Sequence, residues 1–442
     1  MYLPLIKFHP YPAIITQVLR IFASIITSKL EEMCIYNLSM WFYEQAVAVA
    51  SLRNPKAKQW RNGRRNIFER MRSEIDTSDK IIWVHAASLG EFEQGRPIIE
   101  RLKELQPDVR ILLTFFSPSG YEIRKNYSGA DYIYYLPIDR ASYARRFLDI
   151  VRPAAAVFIK YEFWHNYLTE LRNRDIPTYV VSAIFRRDSI FFRPWGGAWR
   201  KALRSFTTLY VQKGESKELL HELGFDNVVV AGDTRFDRVA AIARAARQIP
   251  TIERFKGSAP LFVAGSTWGP DEELLIELIN DNPSIRFVVA PHEMNEERIT
   301  KLINAIDGGA IRYTTCDDST DLSHKQVLIL DTVGILSSVY GYADWSYIGG
   351  GFGVGIHNTL EAATFGLPIA FGPKYHKFKE ACDMVEIGVA TSIESSEELK
   401  AWFTPLRDDK MLLMNLRNKA KAYTEENCGA TELITREILS KI

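Results

Sequence analysis

The chain has 442 residues, which is long for one hydrophobic core and suits two domains of about 200 residues each. Its 47% hydrophobic and 25% charged residues make an ordinary soluble composition and leave no room for a disordered or fibrous chain. The net charge is only +1, and the four cysteines (Cys34, Cys316, Cys382, Cys428) and eight histidines form no C-x-x-C or H-x-x-x-H pattern, so no structural zinc site is visible and the thiols fit a reducing compartment.

From the N-terminus, Ala13 to Thr27 is apolar apart from Gln17, Arg20 and a few hydroxyls. It is shorter than the ~20 apolar residues of a spanning helix, and no small-residue cleavage site follows it. A second apolar, aromatic stretch, Tyr36 to Leu52, leads into a cluster of eight Lys/Arg against one acid, Glu69, between Arg53 and Arg72. A shallow anchor followed by positive charge describes a protein on the cytoplasmic face of a membrane. Met33 lies between the two stretches, so the first 32 residues read as an upstream extension of the frame.

From Lys80 strand and helix patterns alternate, which predicts a parallel sheet with helices on both faces. IIWVHAA (81–87) and VRILLTFFS are buried-type strands, and further strands are expected at Tyr132–Leu136, Ala155–Ile159, Thr178–Ser182, Thr208–Gln212 and Asn227–Val230. Within this half, Arg186 to Arg204 holds six Lys/Arg against one acid, interleaved with Phe185, Phe191, Phe192, Trp195 and Trp199. Basic residues mixed with aromatics suit an anionic lipid surface or a nucleic acid. After a helix and linker (236–250), a second alternating series runs through PLFVAGS, IRFVVAP, KQVLILD, WSYIGG, LPIAFG and VATSI. The expected organisation is a membrane-associated segment (1–52), a first Rossmann-like domain (53–245), a second Rossmann-like domain (246–425) and a C-terminal helix (426–442) able to pack back on the first domain. Two doubly wound α/β domains place a ligand cleft at the carboxyl ends of their strands.

The most informative stretch is YIGGGFGVGIHNTLEAATFGLPIAFGP (347–373), where an apolar strand expected from Tyr342 runs into five glycines within seven residues. Glycines at such a bend let backbone amides approach a ligand, and the N-terminus of the following helix favours a negative group. Glu361, about one turn into that helix, is placed to accept hydrogen bonds from ribose hydroxyls. The spacing is not the dinucleotide fingerprint G-x-G-x-x-G. In the first half, Glu91 of HAASLGE stands at a strand-to-helix turn, where a helix N-terminus keeps a carboxylate ionised and available as a base. Glu93, two positions on, should point elsewhere.

The ordered series HAASLGE, YLPID, YEFWHN, GDTRFD, GST, PHE, DTVGIL and GGGFGVGIHNTLEA resembles the 3-deoxy-D-manno-octulosonic acid (Kdo) transferase family of lipopolysaccharide synthesis, colinearly from about Ile35 to the C-terminus. The resemblance implies a metal-independent, cofactor-free, inverting glycosyltransferase of the GT-B fold, with two Rossmann-like domains facing a central cleft. It implies a position on the cytoplasmic side of the inner membrane, peripheral or with one N-terminal anchor, and transfer of Kdo from CMP-Kdo to a lipid A precursor. It makes Glu91 the catalytic base and gives Arg235, where the family usually has lysine, the stabilisation of transition-state charge. Ser266, Pro291, His292, Gly334, Ile335, Leu336, Gly353, Asn358, Thr359, Leu360 and Glu361 would surround CMP. The acceptor's charged groups would meet Arg64, Arg65, Arg186 and Arg187, and the membrane the N-terminal segment and basic-aromatic patches, with no nucleic acid as partner.

Two departures stand out. Lys160, counted with Glu91 and Arg235 among the catalytic candidates, replaces a more usual acid beside the active site; if that acid matters, either Glu162 or a rearranged pair with Arg235 must substitute. His292 replaces a usual arginine, and Gly355-Ile356-His357-Asn358 replaces Gly-Gly-His-Asn, with His357 read as a structural residue of the loop. A nucleotide-sugar 2-epimerase shares the two-domain fold and a similar glycine-helix-glutamate site, and a non-enzymatic peripheral membrane protein would use the two basic clusters alone.

Overall fold

The computed structural model describes the backbone from Lys29 and side chains from Tyr36 onward. The apolar stretch Ala13–Thr27 lies outside the described residues, as does the side chain of Cys34. Among the described residues no helix is long and apolar enough to cross a membrane.

The chain forms two compact units, one of residues up to Asp237 together with Gly429–Ile442, the other Arg238–Cys428. Each is built on a parallel seven-stranded sheet. In the first, β1 (Ile81–Ala86), β2 (Arg110–Phe115), β3 (Tyr132–Tyr135), β4 (Ala155–Ile159), β5 (Thr178–Ala183), β6 (Thr208–Val211) and β7 (Val228–Val230) lie in the order β3-β2-β1-β4-β5-β6-β7. In the second, β8 (Leu261–Thr267), β9 (Arg286–Pro291), β10 (Ala310–Arg312), β11 (Val327–Ile329), β12 (Trp345–Ile348), β13 (Ile369–Phe371) and β14 (Ala390–Ser392) lie in the order β10-β11-β9-β8-β12-β13-β14.

Helices cover both faces of each sheet, so the central strands are apolar on both sides; β1 and β4 are buried along their whole length. Strand order reverses between β1 and β4, which pair from Ile82↔Ala155 to His85↔Phe158, and between β8 and β12, which pair from Trp345↔Phe262 to Ile348↔Gly265. In open α/β sheets the crevice at the carboxyl end of such a switch point is where ligands bind.

Two terminal elements complete the first unit. The helix Lys29–Ala50 is tied down by the Tyr36 hydroxyl donating to Asp139 (2.6 Å), by Asn166 donating to Asn37 (3.1 Å) and by an Arg140–Glu44 ion pair. Its opposite side leaves Leu38, Trp41, Phe42 and Val49 exposed. At the other end of the chain, the helix Ala430–Ser440 buries Ala430, Ile434 and Ile438 in the same apolar cluster as Ile98, Ile99 and Leu102 of the helix Leu89–Leu105. Asp237 caps it, accepting the amides of Gly429 (2.6 Å) and Thr431 (2.7 Å).

The apolar segment expected as a strand from Tyr342 begins its strand only at Trp345, because Tyr340–Tyr342 forms a 3₁₀ turn that buries Tyr340. β10 was not foreseen. It is a half-buried edge strand of three residues, without the apolar run that marks its neighbours.

Candidate active site

At the switch point of the first unit, β1 ends at Ala86 and the helix Leu89–Leu105 starts two residues after Ala87. Glu91 sits in the first turn of that helix, half-buried, with its carboxylate accepting from Ser88 Oγ. The first-turn position places it among unpaired helix amides, which favour a negative charge. Glu93 turns to Arg124 (2.9 Å) instead. Tyr161 is exposed, and its phenol is pushed above the ordinary tyrosine range by partial burial, with the Glu91 charge adding to the rise and Arg186 opposing it.

Lys160 follows β4 in a left-handed conformation (φ 64°), its amide donating to Val181 O (2.8 Å). Such a conformation is uncommon for a side-chain-bearing residue and marks strain at the carboxyl end of the strand. Beneath it lies a buried polar network that sequence reasoning missed. His85 Nε2 and Glu162 Oε2 are 3.2 Å apart, Trp164 Nε1 donates to Glu162 (2.7 Å), and His85 Nδ1 lies 2.8 Å from Thr114 Oγ1. Glu162 therefore faces into the fold. Arg235 pairs with Asp233, its Nε and Nη2 donating to Oδ2 at 2.9 and 2.8 Å. Asp233, two positions before it in the chain, is thus a carboxylate partner of Arg235 that its place in the GDTRFD motif does not single out.

The basic residues divide into two groups. Arg65 and Arg186 are exposed. Arg187 is exposed but forms a two-point pair with Glu222. Arg64 corrects the expectation of an acceptor-binding cation. Its guanidinium donates to Leu136 O (2.8 Å), Phe116 O (2.9 Å) and Trp60 O (3.1 Å) and lies 3.8 Å from the centre of the Trp60 ring. Desolvation lowers its pKa to about 9. It is a packing residue.

In the second unit the ends of β8, β9 and β12 bring most of the expected nucleotide residues together. Ser266 is left-handed (φ 55°), and the His292 amide donates to Thr267 O (2.9 Å). The exposed His292 ring stacks at 4.8 Å on Trp268 and at 4.2 Å on His357, and Trp268 Nε1 donates to His357 Nε2 (3.2 Å). His357 is pushed down to about 4, first by desolvation and then by the nearby His292, so it is neutral at pH 7. Leu336 and Tyr340 crowd Gly265, where a Cβ would lie 3.2 Å from the Leu336 side chain and 1.9 Å from the Tyr340 hydroxyl. Leu336 thereby reaches the end of β8, Ile335 precedes it as the residue before the helix turn, and Gly334 is an exposed turn residue with φ 90°.

The glycine loop is built differently from expectation. The amides of Gly349, Gly350, Gly353 and Gly355 donate within the protein, to Gly265 O, Asp271 Oδ2, Gly350 O and Gly350 O. A Cβ on Gly349 would meet Ser266 O at 2.3 Å, and one on Gly351 would meet Gly372 Cα at 2.5 Å. These glycines let β8, β12 and β13 converge closely. Asp271 fixes the loop: fully buried, it accepts from Gly350 N (2.9 Å), Trp268 N (2.8 Å) and the Tyr347 hydroxyl (2.8 Å). Nothing in its sequence setting distinguishes it from a first-turn helix acid.

The helix after the loop is one turn, Leu360–Ala363, so Glu361 stands in its first turn instead of a turn inside. Asn358 Oδ1 accepts from Leu360 N (3.1 Å) and its amide donates to Glu361 Oε1 (2.9 Å). Burial raises the Glu361 pKa, while Asn358 and the Arg238 charge oppose the rise. Thr359 Oγ1 is buried without a hydrogen-bond partner, and Pro291 ends β9 buried. Among the described residues no cluster of His, Cys, Asp and Glu is placed to hold a metal ion.

Residues 62–238 match the protein family described as 3-deoxy-D-manno-octulosonic-acid transferase (kdotransferase). The chain is 27% identical over 370 residues to a 3-deoxy-D-manno-octulosonic acid transferase of Bordetella pertussis, covering 79% of this chain and 85% of the relative. It is 28% identical over 333 residues to the enzyme of the same name from Aquifex aeolicus, covering 74% and 85%. Among solved structures it is similar to UDP-GlcNAc 2-epimerase from Neisseria meningitidis bound to UDP-GlcNAc (TM-score 0.57, 14% identity, 82% of this chain and 100% of that one). It is also similar to Acinetobacter baumannii MurG (TM-score 0.51, 14% identity, 82% and 99%). The structural neighbours speak to the fold alone, and the sequence relatives to the chemistry. The chain is a glycosyltransferase of GT-B architecture, related over most of its length to the 3-deoxy-D-manno-octulosonic acid transferases.

Proposed function

We propose that this glycosyltransferase moves Kdo from CMP-Kdo to a lipid A precursor during lipopolysaccharide synthesis, with inversion at the anomeric carbon. The observation that carries the reading is the similarity to enzymes named for Kdo transfer across 79% of the chain, joined to a half-buried carboxylate at the first unit's switch point. Glu91 takes the proton of the acceptor hydroxyl as its oxygen bonds to the anomeric carbon, and the bond from that carbon to the phosphate oxygen breaks. CMP leaves with the electron pair. Arg235 meets negative charge of the reacting groups, and a single phosphate asks for less neutralisation than a diphosphate.

The second unit takes the donor. Glu361, steadied by Asn358, accepts from the ribose hydroxyls, and Ser266, Pro291, Gly334, Ile335, Leu336, Gly353, Thr359 and Leu360 line the nucleotide. The His292 ring, stacked on Trp268 and His357, offers an aromatic edge to it. The first unit takes the acceptor, with Arg65, Arg186 and Arg187 near its phosphates and Lys160 beside the reacting groups. The exposed Leu38, Trp41 and Phe42, next in sequence to the basic cluster 53–72, support peripheral association with the cytoplasmic face of the inner membrane.

The test is direct. Purified enzyme given CMP-Kdo and a tetraacyl lipid A precursor should release CMP and yield a lipid heavier by one or more Kdo units; no product by mass spectrometry sinks the reading. Glu91→Ala should lose on the order of 10²-fold or more in kcat, as expected for removal of a general base. Near-wild-type turnover removes that role from Glu91 while leaving the reaction itself standing.

A further inference from the structure

We infer that Asp233, gripped by Gln94 and Gln212, is a positioning residue that aims Arg235 at the reacting groups; the inference rests on the charge-stabilising role proposed for Arg235. The geometry lies wholly within the first unit. After β7 the chain turns at Gly232 (φ 93°) and enters the helix Thr234–Arg244. Asp233 Oδ1 accepts the Arg235 amide (3.0 Å), while Oδ2 accepts both Nε and Nη2 of the same residue's guanidinium. One carboxylate thus fixes the backbone and the head group of Arg235 together. The Arg235 side chain is a third exposed, whereas that of Asp233 is 7% exposed.

Asp233 is itself fixed from two further elements, the end of β6 and the helix Leu89–Leu105. Gln212, just past β6, donates to Oδ2 (3.1 Å). Gln94 Nε2 lies 3.1 and 3.2 Å from the two carboxylate oxygens. Gln94 is fully buried, and its Oε1 has no hydrogen-bond partner. An unpaired buried acceptor costs stability, so a glutamine held there solely as a donor points to a demand on its amide beyond packing. Gln94 is also three residues beyond Glu91 on one helix, hence one turn away on a neighbouring face. The Thr234 hydroxyl donates to Gln94 O, locking the two segments a second time (2.5 Å). A continuous path Glu91–Gln94–Asp233–Arg235 therefore holds the proposed base and the proposed cation in one frame.

The physical return is preorganisation. A free arginine side chain samples many rotamers, and a preformed clamp removes that freedom before substrate arrives. Donors already aimed at developing charge need no rearrangement during the reaction. Because the paired carboxylate offsets part of the positive charge, the value of Arg235 lies in the direction of its N–H groups.

The experiment is a double-mutant cycle on the full chain with CMP-Kdo and tetraacyl lipid A precursor. Asp233→Asn should lower kcat roughly 10- to 100-fold, the scale of a small misplacement of a catalytic group. The KM for CMP-Kdo should stay within about threefold, because ground-state binding is untouched. Arg235→Ala should lose at least as much, and the double variant should be no slower than Arg235→Ala alone, since Asp233 acts only through it. Gln94→Met should reproduce Asp233→Asn in a milder form, and it replaces that variant should Asp233→Asn not fold. Wild-type kcat in Asp233→Asn or Gln94→Met, or losses that multiply in the double variant, overturns the inference. Wild-type kcat in Arg235→Ala overturns the role of Arg235 and the inference with it, whereas absence of any Kdo product from the wild-type enzyme strikes the proposed reaction alone.

Discussion

At the scale of single residues, buried titratable groups decide how the first unit responds to acid. His165 is buried, its ring 4.7 Å from Tyr36 and 4.6 Å from Trp199. Desolvation, helped by Lys201, pushes it from 6.5 down to about 4. Unfolded His165 gains its proton near pH 6.5 and folded His165 only near 4, so stability is lost as pH falls through that window. Asp139, which accepts from Tyr36, Asn166 and Tyr167, is pushed the other way by burial, up to about 6. It holds its proton more tightly when folded, so its contribution is present below the unfolded pKa of 3.8 and is lost as pH rises towards 6. The two nearly offset between pH 4 and 6. His165→Phe removes one side of the balance. The stability difference, variant minus wild type, should therefore rise by up to roughly 3 kcal/mol from pH 7 to pH 4, followed by urea unfolding at each pH. A difference that stays flat shows that His165 is not held neutral. Neither residue's role was readable in sequence, because YLPID and YEFWHN meet only in the folded sheet. The position of Glu91 was readable: an apolar strand followed by Ser-Leu-Gly-Glu sets a strand end and a helix start in adjacent residues.

At the scale of elements, the glycine loop carries the sharpest lesson. Five clustered glycines mark close approach, but sequence does not say of what; here much of it is strand end on strand end. Gly351 and Gly353 separate the two cases. A Cβ at Gly351 meets Gly372 Cα, C and N at 2.5–2.6 Å, all backbone that cannot swing aside, whereas at Gly353 the nearest atom is Gly350 O at 3.6 Å. Gly351→Ala should cost the second unit roughly 2 kcal/mol or more, in the range of overpacking, and lower its melting temperature by several degrees. Gly353→Ala should melt within about a degree of wild type, as an unstrained surface change does. Equal effects in calorimetry would refute the convergence of β12 and β13 as the reason for Gly351. Regular elements were more legible. All seven strands of the first sheet follow from apolar runs flanked by turn residues, most plainly β1 and β4, which are buried along their whole length and are therefore apolar on both faces. β10 escaped because Ala310–Arg312 carries no apolar run, whereas the equally short β7 is Val-Val-Val, and the helix after Asn358 ended early because the Thr364–Gly366 turn, with Gly366 at φ 74°, breaks it before a second turn forms.

At the scale of the whole molecule, the order of the chain and the order of folding units differ. The first unit is closed by the last stretch of sequence, Gly429–Ile442, after an intervening unit of continuous chain. The helix Ala430–Ser440 supplies Ile434 and Ile438 to the first unit's core, and Glu437 accepts from the hydroxyls of Thr208 and Tyr210 on β6. Arg101 adds an ion pair to Glu432 (2.9 Å). Fully burying an aliphatic side chain contributes about 1.5–3 kcal/mol, so removing two of them exposes on the order of 5 kcal/mol of apolar burial. That is comparable with the entire net stability of a domain, about 5–15 kcal/mol. Two hydroxyls lose their carboxylate acceptor at the same time, which adds the cost of unmet buried donors. Residues 29–237 alone should therefore lack a cooperative thermal transition, while the same segment joined by a short flexible linker to 429–442 should regain one. Residues 238–428, whose sheet and both core layers are internal, should unfold cooperatively without either flank. Circular dichroism melts of the three pieces decide the matter: a transition in 29–237 matching that of the linked form would mean that the C-terminal helix decorates the first unit without completing its core.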